Sequence, residues 1–182
     1  MGKRALALLT AVLLAAALLS GCGGKGAVDL EEQVPALLEQ EVLFEGIYRG
    51  GGLPTTPNAP YEPDEHYQCF VPVTDENYPT VEALKAATEE VFTAEYAQEN
   101  FYLWAFEGDT PRYKDVDGQL CMDIGQGGGL DKTWDTASWE VLSEDEETVE
   151  ITADYLNYGS VRTAQLTLAK TEEGLRIASM AG

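Results

Sequence analysis

The stretch that decides the fold is "TVEITADYLNYGSVRTAQLTLAKTEEGLRIASM", Thr148 to Met180. Val149, Ile151, Ala153 and Tyr155 alternate with polar residues, and so do Ala164, Leu166 and Leu168. Side chains of a strand point to opposite faces in turn, so this period predicts an antiparallel sheet with one buried face. "NYGS" and "TEEG" supply the turns between three strands. Upstream, "SEDEE" is an acidic turn after the strand-like "TASWEVL". "RYKDV" and "QLCMDI" flank Asp117-Gly118, a favoured two-residue hairpin turn.

The helices lie before this meander. Thr80 is placed to cap a helix with the apolar face Val81, Leu84, Thr88, Val91 and Phe92. Thr93 is placed to cap a second, running through Tyr96 to about Trp104. Val34, Leu37, Leu38, Val42, Phe44, Ile47 and Tyr48 recur at helical spacing, giving a helix over 35–48, with Pro35 tolerable only near its start. "GGGLPTTPNAPYEPDE" then reads as an exposed connector, followed by a strand from His66 to Val73. The fold class is α+β, with helices packed on one face of a curved antiparallel sheet, in outline similar to NTF2-like or cystatin-like architectures. The divisions are 1–21, 22–33, 34–65 for the helix and connector, and 66–182 for an independent α+β body.

The first 22 residues carry an address. Lys3 and Arg4 precede an apolar run from Ala5 to Leu19, too short to span a membrane, and then Leu19-Ser20-Gly21-Cys22. This resembles a bacterial lipobox. That resemblance implies cleavage before Cys22 and a diacylglyceryl group on its sulfur; the alternative is a plain secretory signal. "GGKG" behind Cys22 is a flexible tether. Cleavage would leave nine of 11 basic residues and all 32 acids, so 9 − 32 = −23. Such a chain is repelled by nucleic acid and anionic polymers. The charge suits a basic protein partner or simply solubility.

Chemistry has few footholds. "IGQGGGLDKTW", Ile124 to Trp134, holds four glycines in five residues, but Asp131 stands where a phosphate loop needs glycine before its lysine, Lys132. Gly125-x-Gly127 is followed by Leu130, which breaks the dinucleotide fingerprint. A flexible hairpin loop is the simpler reading. His66 is the only histidine, and no spacing suits a metal, a cofactor or a nucleophilic triad. Glu144 to Glu147 read as a solvated run, and Asp115, Asp117 and Asp123 enter an apolar strand instead of completing a calcium loop. The expectation is therefore not an enzyme. Cys69 and Cys121 lie in strand-like stretches and are either bridged or two buried thiols. Tyr96, Phe101, Tyr102, Trp104 and Phe106 are expected core. Trp134 and Trp139 flank one strand and face opposite ways.

"YPTVEALKAATEEVFTAEYAQENFY", the strand pair around "DGQLCMDIGQGGGL", and "TWDTASWEVLSEDEETVEIT" resemble the inhibitor family of cell-wall DL-endopeptidases, the IseA type, over residues 66–182. The similarity rests on element order and on short phrases: Phe92 to Tyr96, Asp117-Gly118, and the glycine loop before Trp134 to Ala137. It implies a secreted or lipid-linked protein of a Gram-positive bacterium, which together with the lipobox resemblance gives a protein lipid-anchored to the outer face of the cytoplasmic membrane. Its partner would be a papain-like cysteine peptidase, blocked by a loop in its groove. Gly125, Gln126, Gly127, Gly128, Gly129, Leu130 and Asp131 would form that loop, with Leu130 as apolar anchor, Asp131 at the groove edge and Trp134 as brace. The other reading is a binding module for a small ligand or wall fragment held in the sheet's concavity.

Overall fold

A computed structural model describes residues 28–182. Cys22, the signal segment and most of the tether lie outside the described residues.

The meander forms as its alternation requires. β6 (Thr148–Asn157), β7 (Ser160–Thr171) and β8 (Gly174–Ala181) pair antiparallel, with Ile151 opposite Leu166 and Leu168 opposite Ile177. The inward residues Val149, Ile151, Ala153, Ala164, Leu166, Leu168 and Ile177 are buried. Tyr158 and Gly159 form the β6–β7 turn, both with positive φ, 48° and 73°. That twist matches the twist of the flanking strands. β4 (Lys132–Trp134) pairs with the end of β6, and β5 (Glu140–Glu144) with its start.

The single strand expected after the glycine loop is thus two strands. Asp135 breaks it: its side chain accepts from Ala137 N at 3.1 Å and its carbonyl from Ser138 N at 3.0 Å, closing a turn. Trp134 and Trp139 therefore belong to different segments. Trp134 is buried and Trp139 packs at the rim of the core.

β2 (Tyr113–Val116) and β3 (Gln119–Asp123) form the expected hairpin over Asp117-Gly118, and β1 (Phe70–Pro72) completes a three-stranded sheet in the order β1-β3-β2. The strand expected from His66 starts only at Phe70. Asp64 accepts from the backbone N–H of His66 and Gln68 at 2.8 and 3.0 Å, which holds residues 64–68 in a turn. Thr80 caps α2 (Val81–Glu89), and Thr93 caps α3 (Ala94–Ala97), which continues through a π-helical stretch, Gln98–Tyr102, into α4 (Leu103–Ala105). Between α2 and α3 the chain bonds to β8: Ile177 N donates to Val91 O at 2.8 Å and Thr93 N to Ile177 O at 3.0 Å.

α1 runs over Leu30–Tyr48, five residues earlier than the sequence pattern suggests. Asp29 caps it, accepting from Glu32 N, so Pro35 sits one full turn inside. An interior proline costs a helix about 3 kcal/mol. Burial offsets that, because Val34, Leu37, Leu38, Phe44, Ile47 and Tyr48 all lie in the common core. Phe44 packs edge-on against Phe92, and Tyr48 stacks on Phe101 at 4.6 Å. The Tyr48 hydroxyl shares a 2.8 Å hydrogen bond with Thr88. The hydrophobic core runs across residue 65: α1 and the later elements contribute side chains to one cluster.

The cysteines are free and buried. Their strands are neighbours, but Cys121 stands opposite Pro72 while Cys69 O accepts from Ile124 N. That offset of three residues separates them by about 10 Å and turns their side chains to opposite faces, beyond the reach of a disulfide.

A fragment of residues 66–182 is expected to bind a hydrophobic dye and melt without cooperativity, while residues 28–182 melt cooperatively. Near-UV circular dichroism and calorimetry of both would check this. A cooperative melt of the shorter fragment would show that the sheets hold a core without α1.

Candidate functional site

Gly125 to Asp131 links β3 of the small sheet to β4 of the large one, and it passes over the end of α1. Its start is organised by Asp123, which is buried. One carboxylate oxygen accepts from Cys69 N at 2.9 Å and Gly125 N at 3.0 Å; the other accepts from the Gln126 side-chain amide at 3.0 Å. Gln126 also reaches the Thr110 carbonyl at 3.2 Å.

The middle of the loop lies flat on the helix terminus. A Cβ on Gly128 would stand 2.2 Å from Arg49 O and 2.8 Å from Gly50 O. No side chain fits there, so glycine is required by the close approach of two backbones. Gly129 O accepts from the Tyr158 hydroxyl at 2.8 Å, and Asp131 O from Tyr158 N at 3.0 Å. Gly125, Gly127, Gly128, Gly129 and Asp131 are exposed, while Gln126 and Leu130 are half-buried. Leu130 faces Gly46, Val42 and Ile47 across a shallow groove of about 370 Å³.

This differs in two ways from the finger expected. The loop is strapped at both ends and in its middle, and Leu130 leans on α1 instead of standing at a free tip. The brace is Tyr158 and the α1 terminus. Trp134 acts one step later: its indole N–H donates to Glu41 at 2.7 Å, and its ring packs on Tyr155 at 5.0 Å. Lys132, the residue after the loop, bonds the other Glu41 oxygen at 2.6 Å.

The helix end beneath the loop is polar, and its carbonyls are engaged, while the buried Arg112 Nε has no hydrogen-bond partner. Ile47 O accepts from the Tyr113 hydroxyl at 2.8 Å and Gly50 O from Arg112 at 2.7 Å. A buried guanidinium at a helix C-terminus complements the helix dipole. Arg49 bonds Glu45 at 2.9 Å and lies over the Phe101 ring at 5.3 Å. Burial pushes the Glu45 carboxyl above its ordinary pKa; Arg49 opposes this and Glu41 adds to it.

Beside the loop stands the tip of the β6–β7 hairpin. Leu156, Tyr158 and Val161 are 48, 66 and 70% exposed there, with Leu156 and Val161 paired across the strands. Sequence reading missed these residues. One signal pointed to Tyr158: a tyrosine in a tight turn at positive φ, where Asn or Asp is the usual choice. Glycine backbone and three apolar side chains thus share one end of a strongly acidic molecule. Such an end can lie against another protein surface, with the glycines admitting close contact.

Gly128→Ala is expected to lift the loop from α1 and cost on the order of 1–3 kcal/mol. Hydrogen exchange at residues 125–131, together with a thermal melt, measures both effects; unchanged exchange would show that the contact does not hold the loop. A second expectation concerns pH. The raised Glu45 pKa means that the unfolded chain loses this proton first, so stability falls as pH rises from the ordinary carboxylate value through the raised one. Glu45→Gln is free of that loss. Its melting temperature should therefore gain on wild type as pH rises above the ordinary carboxylate value. A constant gap would show that Glu45 ionises alike in both states.

No protein-family model matches the chain, and no curated protein matches it.

Proposed function

We propose that the chain is an extracytoplasmic lipoprotein, anchored through Cys22 to the outer face of a bacterial cytoplasmic membrane, that inhibits a papain-like DL-endopeptidase by covering its groove. The single observation that carries this reading is the tip itself. The exposed glycine backbone of Gly127 to Gly129 lies beside Leu156, Tyr158 and Val161. The resemblance to the inhibitor family puts its occluding loop at the same residues.

The straps bear on affinity. A free glycine loop would lose about 1–2 kcal/mol of backbone entropy per residue on docking. Here Asp123, Tyr158 and the α1 terminus hold much of that order before any partner arrives. Pre-organisation lowers the cost of binding. The acidic surface steers the chain toward a basic enzyme and speeds association. A binding module is the second reading, favoured by a groove of about 400 Å³ between α1, α2 and the β7–β8 turn, with Leu37, Phe44, Tyr78 and Val91 on its walls.

The test is muropeptide hydrolysis by a panel of such peptidases, with wild type, Leu130→Ala and Val161→Asp. Val161 points to solvent, so the melting temperature of that variant should stay close to wild type. Inhibition should weaken roughly tenfold or more, since about 1.4 kcal/mol lost is tenfold in affinity. Equal inhibition by all three proteins would remove this end from the mechanism. No inhibition by wild type would favour the binding module.

A further inference from the structure

We propose that the chain is mounted by its acidic end, so that the loop-and-hairpin tip faces away from the membrane and meets a partner held within roughly 50 Å of it. This rests on the lipoprotein reading above and extends it to geometry.

α1 is the ruler. Its 19 residues span about 28 Å. Its last turn carries Gly128 and Leu130, so the glycine loop lies at its far end. Its first turns sit at the opposite end of the sheet. Gln33 accepts from Leu175 N at 3.1 Å, beside the β7–β8 turn. Lys170 ties that turn to the β5–β6 turn, donating to Glu144 at 2.6 Å and to Asp145 O at 2.7 Å. The start of α1 and both turns therefore share one end, and the β6–β7 hairpin points the other way.

Cys22 lies only seven positions before the cap residue Asp29. Seven residues reach at most about 25 Å, less than the length of α1. A lipid on Cys22 thus tethers the start of α1 closely and the glycine loop only through the whole body. The tethered end bears exposed Glu31, Glu32, Glu146, Glu147, Glu172 and Glu173. Among the described residues, Lys170 and Arg176 at this end are already engaged, Lys170 with Glu144 and Arg176 with Glu173. An anionic leaflet repels this end over about one Debye length, near 10 Å. The repulsion keeps the body off the surface, and the short tether keeps the acidic end nearest to it.

The test uses full-length lipidated protein in vesicles of phosphatidylglycerol and phosphatidylcholine. A fluorophore is placed at Ser160→Cys on the tip or Glu172→Cys at the tethered end, and energy transfer to an acceptor in the lipid reports height. Cys69 and Cys121 are buried and stay unlabelled in the folded protein. The tip label should stand higher by about 25 Å. In pure phosphatidylcholine or about 1 M salt, where the Debye length is near 3 Å, the tethered-end label should move closer to the bilayer. Equal heights, or a tip nearer the bilayer, would overturn the orientation while leaving the inhibitor reading standing. Mass spectrometry of the N-terminal peptide separates the other failure: an unmodified Cys22 would overturn the anchoring and this proposal with it.

Discussion

The Glu41 carboxylate sits at the centre of the molecule with no exposure to solvent. A charge in that position is tolerated only when both oxygens are engaged. Lys132 takes one and the Trp134 indole the other. Both partners lie on β4, so a single helical residue fixes where the large sheet begins. Lys132 also lies over the Trp134 ring at 4.7 Å and the Tyr155 ring at 5.3 Å, which extends the contact into β6. The path of the glycine loop follows from this. Its end is held by Glu41 through Lys132, its start by Asp123, and the chain between must cross the terminus of α1.

That terminus is shared by three elements. The small sheet reaches it with Arg112 and Tyr113, the loop with Gly128, and the helix supplies the carbonyls. The two sheets are thus coupled through the last turn of α1 as well as through the loop that links them. A partner seated on the loop would press on a surface backed by buried hydrogen bonds, not on a loose segment.

Much of the fold was legible in the sequence, because it depended on local rules. Alternation from Val149 to Leu168, the Asp117-Gly118 turn and the caps at Thr80 and Thr93 each act within a few residues. α1 was harder. Its buried stripe includes Glu41 and Glu45, acids that a pattern of apolar residues passes over. The Glu41 partner, Lys132, is 91 positions away, and nothing near either residue announces the pair. Pro35 and the glycines after Tyr48 also argued for a short, detached helix, since the compensation lies in tertiary packing. The loop was visible as a run of glycines, but only the fold distinguishes Gly128, which meets backbone, from Gly127, which meets nothing. Tyr158 was hidden for the same reason: its role depends on which strands bring it to Gly129.

The bonds between Ile177 and the Val91–Thr93 segment bear on how copies of this chain meet one another. β8 is the last strand of the large sheet, and a bare last strand invites another chain to add to it. Here the α2–α3 junction occupies the Ile177 N–H and carbonyl. At the other margin, β5 is broken in register between Val141 and Ser143 and flanked by Glu140 and Glu144. With Ile177 engaged on one margin and β5 kinked and charged on the other, strand addition at these two places is disfavoured.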